Sequence, residues 1–191
     1  MFAAVLLALA VIVGILIAIV ALQPPVYRVS RSIPIFAPAA DVFAQVNDFH
    51  NWEAWSPWTK LDPDAAKRFE GPPAGAGAVF AWSGNKKIGQ GRMTLTDSRP
   101  HELIRINLQF IRPFPSNSTA EFTFQAEGNQ TLVTWSMAGR KNFISKAFCM
   151  FMDMDKMVGG DFERGLAQIK AVTEAALEKK LEPQMHTDEH R

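Results

Sequence analysis

The sequence predicts an α+β fold: a curved antiparallel sheet wrapped around a long C-terminal helix, plus one N-terminal transmembrane helix. Three observations carry this. An uncharged apolar run opens the chain at Phe2–Leu22. Alternating strands broken by turn residues fill its middle from Ala78 to Gly139. Apolar residues at helical spacing then run from Phe162 to Leu177. The implied organisation is a transmembrane anchor and short linker at 1–25, a folded domain at 26–181 and a disordered tail at 182–191.

The apolar run holds no polar or charged residue and would span roughly 30 Å as a helix, enough for a bilayer core. Its fourteen Leu, Ile, Val or Phe residues favour insertion. A cleaved signal peptide fits less well: no Lys or Arg precedes the run, the run is long, and Ile19-Val20-Ala21 is a poor cleavage site. The expectation is a single-pass membrane protein. Arg28 and Arg31 follow the helix, so the positive-inside rule favours a cytoplasmic soluble domain. Gln23-Pro24-Pro25 ends the helix and holds the domain close to the membrane.

Val26–Phe36 reads as a strand with Tyr27, Val29, Ile33 and Ile35 on one face. Pro38 opens a helix with Asp41 in its first turn and Val42, Phe43 and Val46 on its apolar side. A second short helix carries Phe49, Trp52 and Trp55 and ends by Ser56-Pro57. Its tryptophans suit core packing, a lipid-headgroup contact or a pocket wall. A short edge strand is expected near Lys67–Glu70, before a Gly/Pro-rich turn at 71–77 that lacks the Gly-Lys-Ser/Thr of a phosphate loop.

The following segments, Ala78–Ser83, Lys87–Thr96, Glu102–Ile111, Ser118–Glu127 and Thr131–Gly139, are joined by short turns and so form an antiparallel meander. Alternation assigns Phe80, Trp82, Met93, Leu95, Ile104, Ile106, Leu108, Phe110, Ala120, Phe122, Phe124, Val133, Trp135 and Met137 to one apolar face. The other face, with Arg105, Asn107, Glu121 and Thr134, is polar enough for water.

The last helical stretch starts unusually. Met150, Met152, Met154 and Met157 cluster beside Phe148 and Phe151, and such a surface suits either ordinary core or an adaptable ligand wall. Gly159-Gly160 is expected to split the stretch. Phe143–Met157 would form a movable segment at a cavity mouth and Asp161–Lys180 a fixed grip, with Phe162, Leu166 and Ile169 facing the sheet.

A net charge of +1 gives no basic field for nucleic acid, and the single cysteine, Cys149, excludes an intrachain disulfide. General acid–base chemistry needs titratable groups inside a pocket, and none is assigned to the inner faces of the central strands. Asp48, His50, Glu53, His101, Asp153 and Asp155 read instead as solvated or capping residues. No catalytic residue, metal site or cofactor is expected.

The stretches Tyr27–Trp58 and Phe151–Lys170 resemble the START-like helix-grip superfamily, specifically the bacterial polyketide cyclase/dehydrase-like (SRPBCC) branch with an N-terminal membrane anchor. The resemblance covers most of Val26–Leu181 and implies a birch-pollen-allergen-like fold with an apolar cavity between the sheet and the C-terminal helix. Superfamily members include lipid carriers, hormone and allergen-type binders, aromatase/cyclases and chaperone-ATPase activators. No catalytic residue carries over, because this branch has no agreed catalytic motif.

The expected function is therefore a membrane-tethered binding domain for a lipid or other hydrophobic small molecule. The expected lining is Phe80, Trp82, Met93, Leu95, Ile104, Ile106, Leu108, Phe110, Phe122, Phe124, Val133, Trp135, Met137, Met150, Met154, Phe162, Leu166 and Ile169, with Trp52, Trp55 and Trp58 at the entrance. A cyclase/dehydrase-type enzyme would instead need a polar group reaching the cavity. A protein-interaction or chaperone-activator module would need an exposed apolar patch near Trp52–Trp58 or the Met-rich segment. The oligomeric state is not specified by the sequence.

Overall fold

The computed structural model describes residues 2–141, 143, 146, 147 and 154–188, and for 154 and 181–188 the backbone alone. The elements are α1 (Phe2–Leu22), β1 (Val26–Ile35), α2 (Ala39–Asn47), α3 (Trp52–Trp55), β2 (Ala66–Glu70), β3 (Val79–Ser83), β4 (Gln90–Arg99), β5 (Leu103–Arg112), β6 (Ser116–Glu127), β7 (Gln130–Arg140) and α4 (Met154–Asp188). The strands form one antiparallel, curved sheet in the order β1-β7-β6-β5-β4-β3-β2. Consecutive strands from β2 to β7 are neighbours, as short turns require, while β1 closes onto β7 across the whole chain.

Along β1 the register pairs Val29 with Met137, Arg31 with Trp135, and Ile33 with Val133. Side chains alternate, so Arg31 shares the inner face with Val29 and Ile33. The charge-free inner face expected of the central strands thus does not extend to the edge strand β1. The cation meets acids from α4: Nε donates to Glu163 Oε1 at 2.6 Å and Nη2 donates to Asp155 Oδ2 at 2.9 Å. Further along, Lys170 Nζ donates to the Pro34 carbonyl, Phe36 N–H donates to Glu174, and Lys180 pairs with Asp41. These contacts hold α4 along the edge strand, where Pro34 is tolerated, and against α2.

Helix α4 passes through Gly159-Gly160 without interruption, contrary to the expected break. Two glycines cost about 1 kcal/mol each in a helix, a local preference that tertiary packing overrides. The packing is visible at two positions. The Arg31 guanidinium fills the space beside Gly159, and a Cβ at Gly165 would fall 2.7 Å from Cζ3 of Trp135. The movable-segment expectation otherwise falls largely on 142–153, most of which lies outside the described residues. At its far end the helix runs to Asp188.

Phe162, Leu166, Ile169 and Thr173 of α4 are buried against the sheet. The Thr173 hydroxyl donates to the Ile169 carbonyl one turn back, which lets a polar residue sit in the core. At the opposite end of the molecule, α1 is exposed along its length except at Val20 and projects from the domain. Its length and composition suit a membrane span; a signal sequence would meet the same criteria.

Candidate functional site

The last turn of α2 leaves carbonyls without helical donors. Asn51 Nδ2 donates to Ala44 O, Trp55 Nε1 to Gln45 O and Trp52 Nε1 to Val46 O. The α3 tryptophans are thus tied to α2 by their polar edges, and their apolar faces turn to the sheet. Trp55 packs edge-on against Trp135, with centroids 5.8 Å apart. Trp135 stacks in turn on Phe122 at 4.7 Å and on Phe162 at 4.1 Å.

This column of rings fills the space between the sheet and α4. Leu95, Ile104, Ile106, Phe122, Phe124, Val133, Trp135, Met137, Phe162, Leu166 and Ile169 are all buried members of that core. The sequence placed them around a cavity beneath the C-terminal helix; among the described residues they are packed against one another, and none belongs to the lining of the aromatic cavity or of the hollow under the Gly71–Pro73 turn. Trp55, expected at an entrance, is only 1% exposed and belongs to the same core. Met150 lies outside the described residues, and of Met154 only the backbone is described.

The open volume lies beside this column, between the other half of the sheet and the segment 49–65. It measures about 300 Å³. Phe49, Trp52 and Trp58 form one wall; Phe69, Phe80, Trp82, Met93, Leu108 and Phe110 from β2 to β5 form the other. Seven expected residues therefore meet here: Phe80, Trp82, Met93, Leu108, Phe110, Trp52 and Trp58. Two features shape the wall. Trp82 donates its indole N–H to Ile88 O, and its ring lies over Gly91, where a Cβ would fall 2.5 Å from Cη2. Phe69 is sandwiched between Phe80 at 5.1 Å and the His50 ring at 4.1 Å. A smaller hollow under the Gly71–Pro73 turn shares Phe49 and Phe69 with this cavity.

Of the cavity's polar groups, only Glu53 stood among the titratable candidates of the sequence, as a solvated residue. Lys67 pairs with Trp82 in the β2–β3 register and shares that ring's face. Its Nζ is 2.6 Å from Glu53 Oε1, so an ion pair stands in the lining; Asp62, Ser56, Thr59 and Lys87 complete the polar part. Strand alternation from Phe69 back to Lys67 was the available signal. The other titratable candidates sit apart. Asp48 caps the following turn by accepting from the His50 N–H, Asp155 meets Arg31, and His101 lies edge-on to Phe43. Asp153 lies outside the described residues. Among the described residues no His, Cys, Asp and Glu cluster could hold a metal ion.

A seven-stranded antiparallel sheet gripping a long C-terminal helix, with an aromatic cavity to one side, defines a helix-grip protein. Residues 27–174 match the family model described as polyketide cyclase / dehydrase and lipid transport, and the chain belongs to that family. No curated protein matches the sequence. Solved structures show the same fold at low identity. A protein from Chromobacterium violaceum aligns at 15% identity and TM-score 0.55 over 80% of this chain and 99% of its own. The Aha1 dimer structure from Colwellia psychrerythraea gives 14% and 0.54, over 75% and 93%. The di-domain ARO/CYC StfQ of the steffimycin biosynthetic pathway gives 13% and 0.55, over 80% of this chain and 52% of that one.

Proposed function

We propose that the chain is a membrane-tethered binding domain for a lipid or other hydrophobic small molecule, held in the cavity between β2–β5 and the α3 segment. The observation that carries this is the aromatic lining of that cavity. At about 300 Å³ the cavity lies at the small end of ligand sites and has the volume of roughly ten waters. That suits one compact apolar ligand or a single chain of a lipid. α1 supplies the tether. Lys67 and Glu53 supply the few polar groups that fix orientation in such sites.

Organic extraction of the purified full chain, with mass-spectrometric identification of what is released, tests the reading. One apolar compound near stoichiometric amount is expected. A cavity that yields nothing, and a protein whose melting no fatty acid or polycyclic aromatic compound shifts, would refute it.

A second reading, a cyclase/dehydrase-type enzyme, is favoured by one observation: Glu53, Lys67 and Asp62 reach the cavity from a helix, an edge strand and a turn. Acid–base work requires a group within hydrogen-bond reach of the bound molecule. Conversion of a bound polyketide-like substrate, abolished by Glu53→Gln, would establish it. Of the patch that an interaction module would need, Trp52 and Trp55 are buried and Trp58 is half-buried, while most of the Met-rich segment lies outside the described residues.

A further inference from the structure

The strand register places one end of the sheet beside the tether. Val26, four residues after the end of α1, pairs with Arg140; the adjacent Gly139 pairs with Ser118, and Asn117 pairs with Gln109. The end of β5 and the β5–β6 turn, 111–115, therefore project from the same end as Val26 and overshoot its level by two to three residues. At about 3.3 Å per residue that is about 7–10 Å, comparable to the reach of the three-residue linker 23–25. The turn lies two to three strand spacings from β1, or about 10–15 Å sideways.

What this end presents is unusual for a surface. Ile111 is 47% and Phe114 76% exposed, with Leu61 at 43% nearby through the Asn85–Leu61 hydrogen bond. Exposed Lys86, Arg112 and Arg140 lie on the turn and strand ends at this same end of the sheet, with Asp62 and Asp64 as acids on the neighbouring turn. Asp62 accepts from the Asn85 N–H. Apolar tips within a basic rim match a bilayer bearing acidic headgroups, where aromatic side chains sit at the interface and lysines and arginines lie above it. Lys87 and Phe110 belong both to this end and to the cavity lining.

We infer that the β5–β6 tip is a second membrane contact, inserting Ile111 and Phe114 into the interface of the bilayer that α1 crosses, so that this end of the cavity faces lipid. The inference rests on the tether proposed above. Its occupant is the bilayer itself, as the short linker and the shared sheet end dictate.

The test uses the full chain in proteoliposomes, with Cys149→Ser and an environment-sensitive label on Phe114→Cys or, as control, on Glu127→Cys at the opposite end of the sheet. Lipids carry a nitroxide at the headgroup. The label at 114 is expected to shift to the blue and lose emission to the nitroxide, more in phosphatidylglycerol-containing than in pure phosphatidylcholine vesicles; the label at 127 is expected to do neither. Equal quenching in both vesicles would overturn the role of the basic rim. Protein that floats with vesicles and resists carbonate, yet is unquenched at 114, would overturn the inference and leave the tether standing. Self-quenching that grows with protein density in place of lipid quenching would assign the tip to a second copy and also overturn it. Protein extracted by carbonate would remove the tether, and this inference with it.

Discussion

The Arg31 guanidinium occupies the place that a side chain at Gly159 would need: a Cβ there would fall 2.5 Å from Cζ of the arginine. The neighbouring Gly160 has no such constraint, its closest approach being Arg164 Nη1 at 3.7 Å. The two glycines, identical by sequence reasoning, should therefore behave differently. Gly160→Ala is expected to stabilise the protein by about 0.5–1 kcal/mol through helix preference. Gly159→Ala is expected to lack that gain, because the guanidinium must leave Asp155 and Glu163. In an Arg31→Ala background the difference between the two should disappear. Chemical denaturation of the four single and double variants in detergent checks this; equal gains in the native background would contradict it.

The same clasp sets an acid limit. The hydrogen bond from Arg31, aided by its charge and opposed by partial burial, holds the Asp155 carboxyl below its ordinary value of 3.8. A carboxyl lowered in the folded state contributes stability above the unfolded value and loses it as pH falls through the folded one. The stability difference between the native chain and Asp155→Asn should be constant from about pH 7 to 5 and shrink below about pH 4. A difference that grows on acidification would contradict the assignment.

Gly91 lets the Trp82 ring lie flat at the cavity wall. Gly91→Ala is expected to push that ring into the cavity, costing about 1–3 kcal/mol of stability as overpacking does. Ligand occupancy should fall with it. Full occupancy in this variant, measured by extraction, would show that Trp82 does not bound the ligand.

Lys67 stands in an otherwise apolar wall. For a ligand with an acidic head, Lys67→Met is expected to weaken binding about 10-fold or more, the worth of one charged hydrogen bond. A neutral analogue should be unaffected, and stability should change by less than about 1 kcal/mol because the Glu53 pair lies at the rim. Competition binding with a matched acid and alcohol measures the contrast.

Much of the fold was legible because two periodicities did not conflict. Alternation sorted the central strands, and Phe162, Leu166, Ile169 and Thr173 marked the buried stripe of α4. Arg31 and Lys67 were missed although they obey the same alternation. What makes an inward cation tolerable is a partner elsewhere, Asp155 and Glu163 for one and Glu53 for the other, and pattern does not show such pairs. The place of the cavity was less legible still. Whether an apolar face is filled or hollow depends on which rings reach across it. The Trp55, Trp135 and Phe162 column fills one half, while the small Gly91 and the edge strand β2 leave the other half open. Gly159 read as a break because only the folded chain shows what stands beside it.

In the proposed function the ligand sits beside the aromatic column and not beneath α4. Native mass spectrometry of the full chain, released from detergent with its bound molecule, measures occupancy directly. Leu108→Trp fills the cavity from β5, whereas Leu166→Met alters the core under α4 at nearly constant volume. Loss of the bound mass in Leu108→Trp and its retention in Leu166→Met is the predicted result. Retention in Leu108→Trp with loss in Leu166→Met would place the ligand under the helix and contradict it.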